Sequence, residues 1–427
     1  MDPVVATAGG GHPPDPVPSP LRRPFHLLAK PTGPICNLAC DYCYFLSKES
    51  LYPGDRFRMS EQVLSSYISG LLQAHPDGPV AVAWQGGEPA LMGIDFFRRA
   101  IDLVEEQRRP RQQVEYSIQT NATLLTDEWC ELFAQHRFLV GVSIDGPPEL
   151  HDRFRVDKHG SATSSKVLAG LERLVRHGVD VNVLCTVHRG NQDHPLDVYR
   201  YFRDDLGLRF IQFIPVVEWD CVGEGAGMDG RRQATERSVE PQAWGRFLNA
   251  VFDEWVVADI GEGFVSMFDS ALGSWLGLDS SMCIFAESCG GSLAVVHNGD
   301  VYSCDHFVDP DHRLGNLTES DLGALVGSRR QAEFGHAKSV LPLRCRGCEV
   351  SFACHGECPK NRYGSGSGDE AGLNYLCAGY YSFFSHIDGP MRTMAELVRS
   401  GRSAADVCEA LDHARPRGQY WSGEVER

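Results

Sequence analysis

Three cysteines, Cys36, Cys40 and Cys43, stand within eight residues as C-x3-C-x2-C. Thiolates that close can share one small inorganic centre. A structural zinc site usually closes with four ligands, often as two C-x2-C halves. Three thiolates without a nearby histidine leave a zinc position open. On a 4Fe–4S cluster they leave one iron open to a ligand from outside the chain. A second set is Cys283, Cys289, Cys304, Cys345, Cys348, Cys354, Cys358 and Cys377. Eight thiolates saturate two cubane clusters or two zinc sites, and composition alone does not separate these. Asp305 directly follows Cys304, and His306 follows it. A carboxylate there can act as a general base. It can also be a turn residue or a partner to the centre.

The chain has 427 residues, 15 cysteines and a formal charge of −17, from 57 acidic and 40 basic residues. That length allows two or three domains, or one barrel plus an extension. With 42% hydrophobic and 23% charged residues, the composition is globular and excludes a wholly disordered or fibrous chain. No run approaches the ~18 apolar residues of a membrane span. The acidic balance argues against a nucleic-acid surface. Residues 1–20 show neither a basic nor an apolar signal region, so a cytoplasmic location is expected. Thiols stay reduced there, and clustered cysteines read as ligands.

Elements must position these groups. Residues 1–24, rich in Pro and Gly, read as a disordered tail. Strands are expected at 25–30, 80–84, 114–118, 139–144, 181–186 and 210–214. Helices are expected between them at 61–73, 94–106, 127–135, 165–177 and 195–205. Alternating strands and helices imply parallel βα units, in a barrel or a doubly wound sheet. Unusual residues follow at least five of the strands: the first cysteines, Gln85-Gly86-Gly87-Glu88-Pro89, Gln119-Thr120-Asn121, Ser143-Ile144-Asp145-Gly146 and Pro215-Val216-Val217. A barrel builds its site from many strand ends, whereas a doubly wound sheet uses one switch point. The barrel is therefore expected, over 25–245. An insertion around Gly223, Gly225, Gly227 and Gly230 and a helix at 243–257 follow. Residues 246–390 form the cysteine-rich unit, and its core is expected from ligation more than from an apolar interior. A helix at 391–410 lies in a C-terminal segment, 391–427.

The C-x3-C-x2-C after the first strand resembles the hallmark of the radical S-adenosylmethionine (SAM) superfamily. That resemblance implies an α/β fold, a partial (β/α)6 barrel. It implies a 4Fe–4S cluster whose fourth iron chelates SAM and which cleaves it to a 5′-deoxyadenosyl radical. Gly86-Gly87-Glu88-Pro89 is similar to the family's GGE motif at the SAM amino group, which makes Gly87 and Glu88 cofactor residues. Ser143 and Arg155 match positions at the SAM ribose and carboxylate, with Arg153 as the competitor for the latter. Tyr42 and Val217 match neighbours of adenine.

The second cysteine set resembles the SPASM domain, with a spacing most like anaerobic sulfatase-maturating enzymes. By that resemblance Cys283, Cys289, Cys304 and Cys358 hold one auxiliary cluster, and Cys345, Cys348, Cys354 and Cys377 hold the other. This makes three 4Fe–4S clusters in all. The resemblance makes Asp305 the general base. The implied reaction is oxidation of a sulfatase Cys or Ser to Cα-formylglycine, tested on a Cys-x-Pro-x-Arg peptide. A flavodoxin- or ferredoxin-type donor would supply electrons. The alternative is another SPASM peptide modifier, thioether-forming or mycofactocin-type. Those often carry an N-terminal recognition domain of about 80–90 residues, and about 24 residues are too few for one. A zinc-rich binding protein is the reading from another class. Cys130 and Cys185 are expected as packing residues.

Overall fold

The computed structural model describes residues 25–222, 231–363 and 372–414. The expected N-terminal tail, the four glycines of the insertion and residues 415–427 lie outside them. All six expected strands form: β1 (His26–Lys30), β2 (Val80–Trp84), β3 (Val114–Thr120), β4 (Leu139–Ser143), β5 (Asp180–Val187) and β6 (Phe210–Pro215). They pair in chain order and all in parallel. Helices Glu61–Ala74, Ile94–Gln107, Asp127–Gln135 and Ser164–Arg176 connect them, and Pro195–Arg200 continues as a π turn over Tyr201–Asp205.

The two faces of this sheet differ in chemistry. Val80, Val82, Trp84, Tyr116, Ile118, Val140, Val142, Val183, Cys185 and Val187 point outward into one continuous core under the helices. Their partners there recur at helical spacing, as Val63, Leu64, Tyr67, Ile68 and Leu71 do. Burying an apolar side chain of this size contributes roughly 1.5–3 kcal/mol. The inner face forgoes that gain. It carries Ala83, Ser117, Gln119, Ser143, Thr186 and Gln212, all partly accessible. Small and polar residues on alternate positions keep this face from packing as a second apolar core.

The barrel does not close. β6 takes the short β9 (Phe264–Val265) on its free edge, after a hairpin of β7 (Trp219–Val222) and β8 (Arg231–Ala234). β1 takes β10 (Ser292–Val296) in parallel, from His26 against Ser292 to Lys30 against Val296. β11 (Asp300–Tyr302) and β12 (Arg313–Asn316) extend that edge antiparallel. The cysteine-rich unit thus continues the barrel's own sheet. The expectation that this unit's core rests on ligation more than on an apolar interior is corrected accordingly. Leu293, Val295 and Val301 lie in the same core as the barrel strands, because β10 satisfies the open edge of β1.

The C-terminal helix also differs from expectation. It runs Cys377–Arg399, and a separate helix, Val407–Ala414, follows Gly401, which has φ 79°. Gly379, Gly389 and Pro390 look like breakers in sequence. In space Gly379 lets this helix meet the helix Pro241–Ala258, since a Cβ there would sit 2.2 Å from the Pro241 carbonyl oxygen. A stripe of Tyr380, Phe383, Phe384, Ile387, Met391 and Met394 is buried along it, and this packing outweighs the cost of an internal proline.

Candidate active site

β1 delivers the chain to the first cysteine loop. Cys36, Cys40 and Cys43 are partly buried free thiols. The Cys43 amide donates to the Cys40 carbonyl at 3.0 Å, and the loop is clamped by Ala39 N to Val156 O (2.9 Å) and Asp41 N to Phe154 O (3.0 Å). Two donors reach the Cys36 sulfur: the Leu38 amide at 3.3 Å and Asn121 Nδ2 at 3.6 Å. Burial, aided by the Glu88 carboxylate, pushes the Cys36 thiol up to about 12. Burial pushes Cys40 up to about 11, although the Arg155 guanidinium opposes it. Desolvated thiolates aimed into one loop are costly unless a cation replaces the protons, which is the condition that metal ligation meets. Among the described residues no three His, Cys, Asp or Glu side chains are arranged to hold a single metal ion. A cubane, with irons at separate corners, asks for a wider arrangement.

The turn after β2 faces this loop. Gly86 and Gly87 have φ 96° and 53°. A Cβ on Gly87 would lie 2.2 Å from the Ile35 carbonyl oxygen, so only glycine lets the turn approach the cysteine loop. Glu88 is buried, and its carboxylate accepts from Ala90 N (3.0 Å), Thr120 Oγ1 (2.7 Å) and Asn121 N (2.8 Å). It therefore ties the end of β2 to the end of β3, and what the turn offers a ligand is backbone. Ser143, at the end of β4, accepts from Gln119 Nε2 at 3.0 Å. Arg155 pairs through Nε with Asp145 Oδ2 at 2.9 Å and donates from Nη2 to Thr186 Oγ1 at 3.1 Å. A guanidinium has five N–H donors, so these contacts do not exhaust it. The Tyr42 hydroxyl bonds the same Asp145 carboxylate, and the Arg155 guanidinium lies 5.5 Å from the Tyr42 ring centroid. Arg153 is exposed, with Nη1 on the Gly190 carbonyl. Val217 is buried in the core beyond β6.

The chain after β11 crosses to the first loop. Val308 packs with Phe45, Ala294, Val296 and Tyr302 in a small second cluster. Asp305 is thereby brought against both β1 and the cysteine loop. Lys30 Nζ forms an ion pair with its Oδ1, and the Tyr44 hydroxyl donates to its Oδ2 at 3.0 Å. Burial pushes the Asp305 carboxyl up, but the Lys30 ammonium, His306 and the two hydrogen bonds outweigh it and hold the group below its usual range. Burial and Lys360 push His306 down to about 4, so its ring is neutral near neutrality.

The second cysteine set falls into two neighbourhoods. Burial pushes Cys304 up to about 12, with Cys283 and Cys289 close enough to add to it. Cys358 is raised by burial and Glu357, then by Cys304 and Cys289. Separately, Cys354 is pushed up to about 12 by burial and Glu357, then by Cys377 and Cys345. Cys345 is raised by burial and by Cys348. Lys338, fully buried, donates to the carbonyls of Cys283 (2.7 Å) and Ile284 (2.8 Å). Burial lowers its ammonium, and Cys289, Cys283 and Cys358 oppose that. A buried cation among these thiols offsets the negative charge that a thiolate-bound cluster brings.

Lys30, Tyr44, Asp145 and Lys338 carry no role in the sequence reading. Asp145 lies inside the strand-end motif Ser143-Ile144-Asp145-Gly146. Lys30 has one signal, a charge ending the strand HLLAK directly after the apolar Leu27, Leu28 and Ala29. Cys130 and Cys185 are buried in the core, in agreement with packing roles.

Known proteins are similar to this chain. The radical SAM superfamily model matches residues 31–202, and the iron–sulfur cluster-binding SPASM model matches residues 283–349. The chain is 40% identical over 414 residues to a serine-type anaerobic sulfatase-maturating enzyme of Bacteroides thetaiotaomicron, covering 94% of this chain and 99% of that one. It is 32% identical to a cysteine-type anaerobic sulfatase-maturating enzyme of Clostridium perfringens, covering 85% and 96%. It is also similar to the solved structure of native anSMEcpe with bound AdoMet, with a TM-score of 0.78 and 30% identity over 87% of this chain and 99% of that chain. Among the described residues no helix is long and apolar enough to cross a membrane. The cysteine loop, the glycine turn and the two further cysteine neighbourhoods thus stand in a chain that belongs to the anaerobic sulfatase-maturating enzymes, radical SAM oxidoreductases with 4Fe–4S clusters.

Proposed function

We propose that this enzyme oxidises a cysteinyl or seryl side chain of a sulfatase to Cα-formylglycine. Relatives named as serine-type and cysteine-type maturating enzymes support the reading, as does a similar structure with the Cp18Cys peptide bound. Cys36, Cys40 and Cys43 hold the SAM-binding cluster. Cys283, Cys289, Cys304 and Cys358 hold one auxiliary cluster, and Cys345, Cys348, Cys354 and Cys377 the other. Tyr42, Ser143, Arg155, Val217 and the backbone of Gly87 and Glu88 would hold SAM. When bound, the first cluster with SAM would supply a 5′-deoxyadenosyl radical able to take a Cβ hydrogen atom, and the auxiliary clusters would offer one-electron redox chemistry beside it.

Asp305 accepts the substrate's hydroxyl or thiol proton. Loss of the hydrogen atom, that proton and one electron converts CH2–XH to CH=X. Where X is sulfur, water replaces it and hydrogen sulfide leaves. A carboxylate held ionised within reach of the reacting group suits the transfer. Electrons come from a flavodoxin- or ferredoxin-type protein in the cytoplasm.

One observation carries the assignment of the base. Tyr44 directly follows Cys43, Asp305 directly follows Cys304, and the two side chains are hydrogen bonded at 3.0 Å. The proton acceptor thus bridges the first cysteine loop and the auxiliary cysteines. The test is mass spectrometry of a Cys-x-Pro-x-Arg peptide and its Ser counterpart, incubated anaerobically with reconstituted enzyme, SAM and reductant. The aldehyde is expected from wild type. Asp305→Asn is expected to cleave SAM and yield none. Undiminished aldehyde from that variant removes Asp305 from the role.

A further inference from the structure

Lys30 is an expensive residue in its place. It ends β1, its side chain is 1% exposed, and its Nζ is ion-paired to Asp305, whose side chain is 18% exposed. The core does not need it, because Leu27 and Ala29 supply the outward face of that strand. A buried ion pair is rarely more stable than a well-packed apolar replacement. Yet two further features are shaped around it. Its Nζ lies 4.3 Å from the centroid of the Phe45 ring, a cation–π distance. Gly86 flanks the stem: a Cβ there would stand 2.7 Å from Lys30 Cγ, 2.9 Å from Cδ and 3.0 Å from Nζ. The glycine turn therefore makes room for lysine as well as for a ligand.

We propose that Lys30 is a positioning residue for proton abstraction. It fixes Oδ1 of Asp305 while Tyr44 fixes Oδ2, so the carboxylate meets the substrate hydroxyl or thiol in one orientation. The inference rests on Asp305 being the base. Each of the three supports has its own origin: Phe45 from the cysteine loop, Gly86 from the turn after β2, and Asp305 from beyond β11. The lysine thus sets the base relative to both halves of the site. A misplacement of about 1 Å in such a constellation costs on the order of 100-fold.

The test compares Lys30→Met and Asp305→Asn as anaerobically reconstituted holoenzymes, with iron content, peptide affinity, SAM cleavage and aldehyde all measured. Lys30→Met is expected to keep its iron, its peptide affinity and its SAM cleavage, while aldehyde formed per 5′-deoxyadenosine falls roughly 100-fold. A Cβ-deuterated peptide should still pass deuterium to 5′-deoxyadenosine, a signature that a merely structural defect would erase. Full coupling in Lys30→Met beside uncoupled Asp305→Asn overturns the role of Lys30 alone. Full coupling in Asp305→Asn overturns the base assignment and this inference with it. If Lys30→Met loses iron, Phe45→Leu decides, since it loosens the bed of Lys30 and keeps the charge. Uncoupling in Phe45→Leu supports the proposal, and full coupling overturns it.

Discussion

Asp145 and Arg155 form a salt bridge of 2.9 Å in which the carboxylate is wholly buried and the guanidinium side chain is 10% exposed. The same carboxylate takes the Tyr42 hydroxyl and the Thr186 amide, the latter at 2.9 Å. One buried anion therefore orients the arginine, the tyrosine between the second and third cysteines, and the end of β5.

Asp145→Asn leaves Arg155 charged and unpaired. Breaking such a buried pair costs about 3–5 kcal/mol. The thermal midpoint of the anaerobic holoenzyme should fall, and SAM should bind more weakly as Arg155 and Tyr42 lose their anchor. Replacing both partners by apolar residues, as Asp145→Leu with Arg155→Met, should recover part of the stability but not the SAM affinity. Calorimetry and equilibrium SAM binding read the two effects separately.

Gly87→Ala should disable the site from the backbone. The φ of 53° costs a Cβ-bearing residue roughly 1–2 kcal/mol. The contact with the Ile35 carbonyl then forces the turn away from the loop before Cys36. The expected result is lost SAM binding and reduced iron at the first cluster, with the auxiliary clusters intact. Iron analysis and electron paramagnetic resonance of the reduced protein check it.

His151 should make stability depend on pH. Burial pushes its imidazole down to about 4, although Asp145 opposes the shift. Its Nδ1 accepts from the Asp145 amide at 3.3 Å, and Nε2 bonds Thr163 Oγ1 at 3.2 Å. An unfolded chain binds this proton near pH 6.5, the folded one only near 4. Between those values the unfolded state holds more protons, so stability rises with pH and is lost on acidification. The full effect is about 3 kcal/mol. His151→Gln removes this contribution. The gap between wild type and variant, measured as thermal midpoints from pH 7 down to 5, should shift toward the variant as pH falls.

The cysteine neighbourhoods predict iron counts. Wild type should carry about twelve irons after reconstitution. The triple change Cys36→Ala, Cys40→Ala, Cys43→Ala should leave about eight and abolish SAM cleavage. Changing Cys345 and Cys348 to Ala should also leave about eight while SAM cleavage persists. Equal loss of all clusters in either variant would contradict separate sites.

Much of this molecule is legible in the chain. The strands of the barrel follow from apolar runs between amphipathic helices, because a parallel sheet covered by helices needs them. The cysteine spacings, the Gly86-Gly87-Glu88 turn and Asp305 are local in sequence, so they could be read before any fold was known. The start of the C-terminal helix, at Cys377, is not legible for the opposite reason. Gly379 is tolerated inside it because it lets the helix meet Pro241–Ala258, more than a hundred residues earlier.

Sequence by itself determined the cysteine spacings, the strand-end motifs and the family they resemble. Tertiary structure alone decided that β10 continues the sheet of β1 and brings Asp305 to Lys30 and Tyr44. It also decided that Glu88 braces two strands and that Asp145 holds Tyr42 and Arg155 together. Spacing along a chain reports which groups can share a centre. It carries no information about which distant side chain will neutralise a buried charge, since that depends on how far separated segments come to pack.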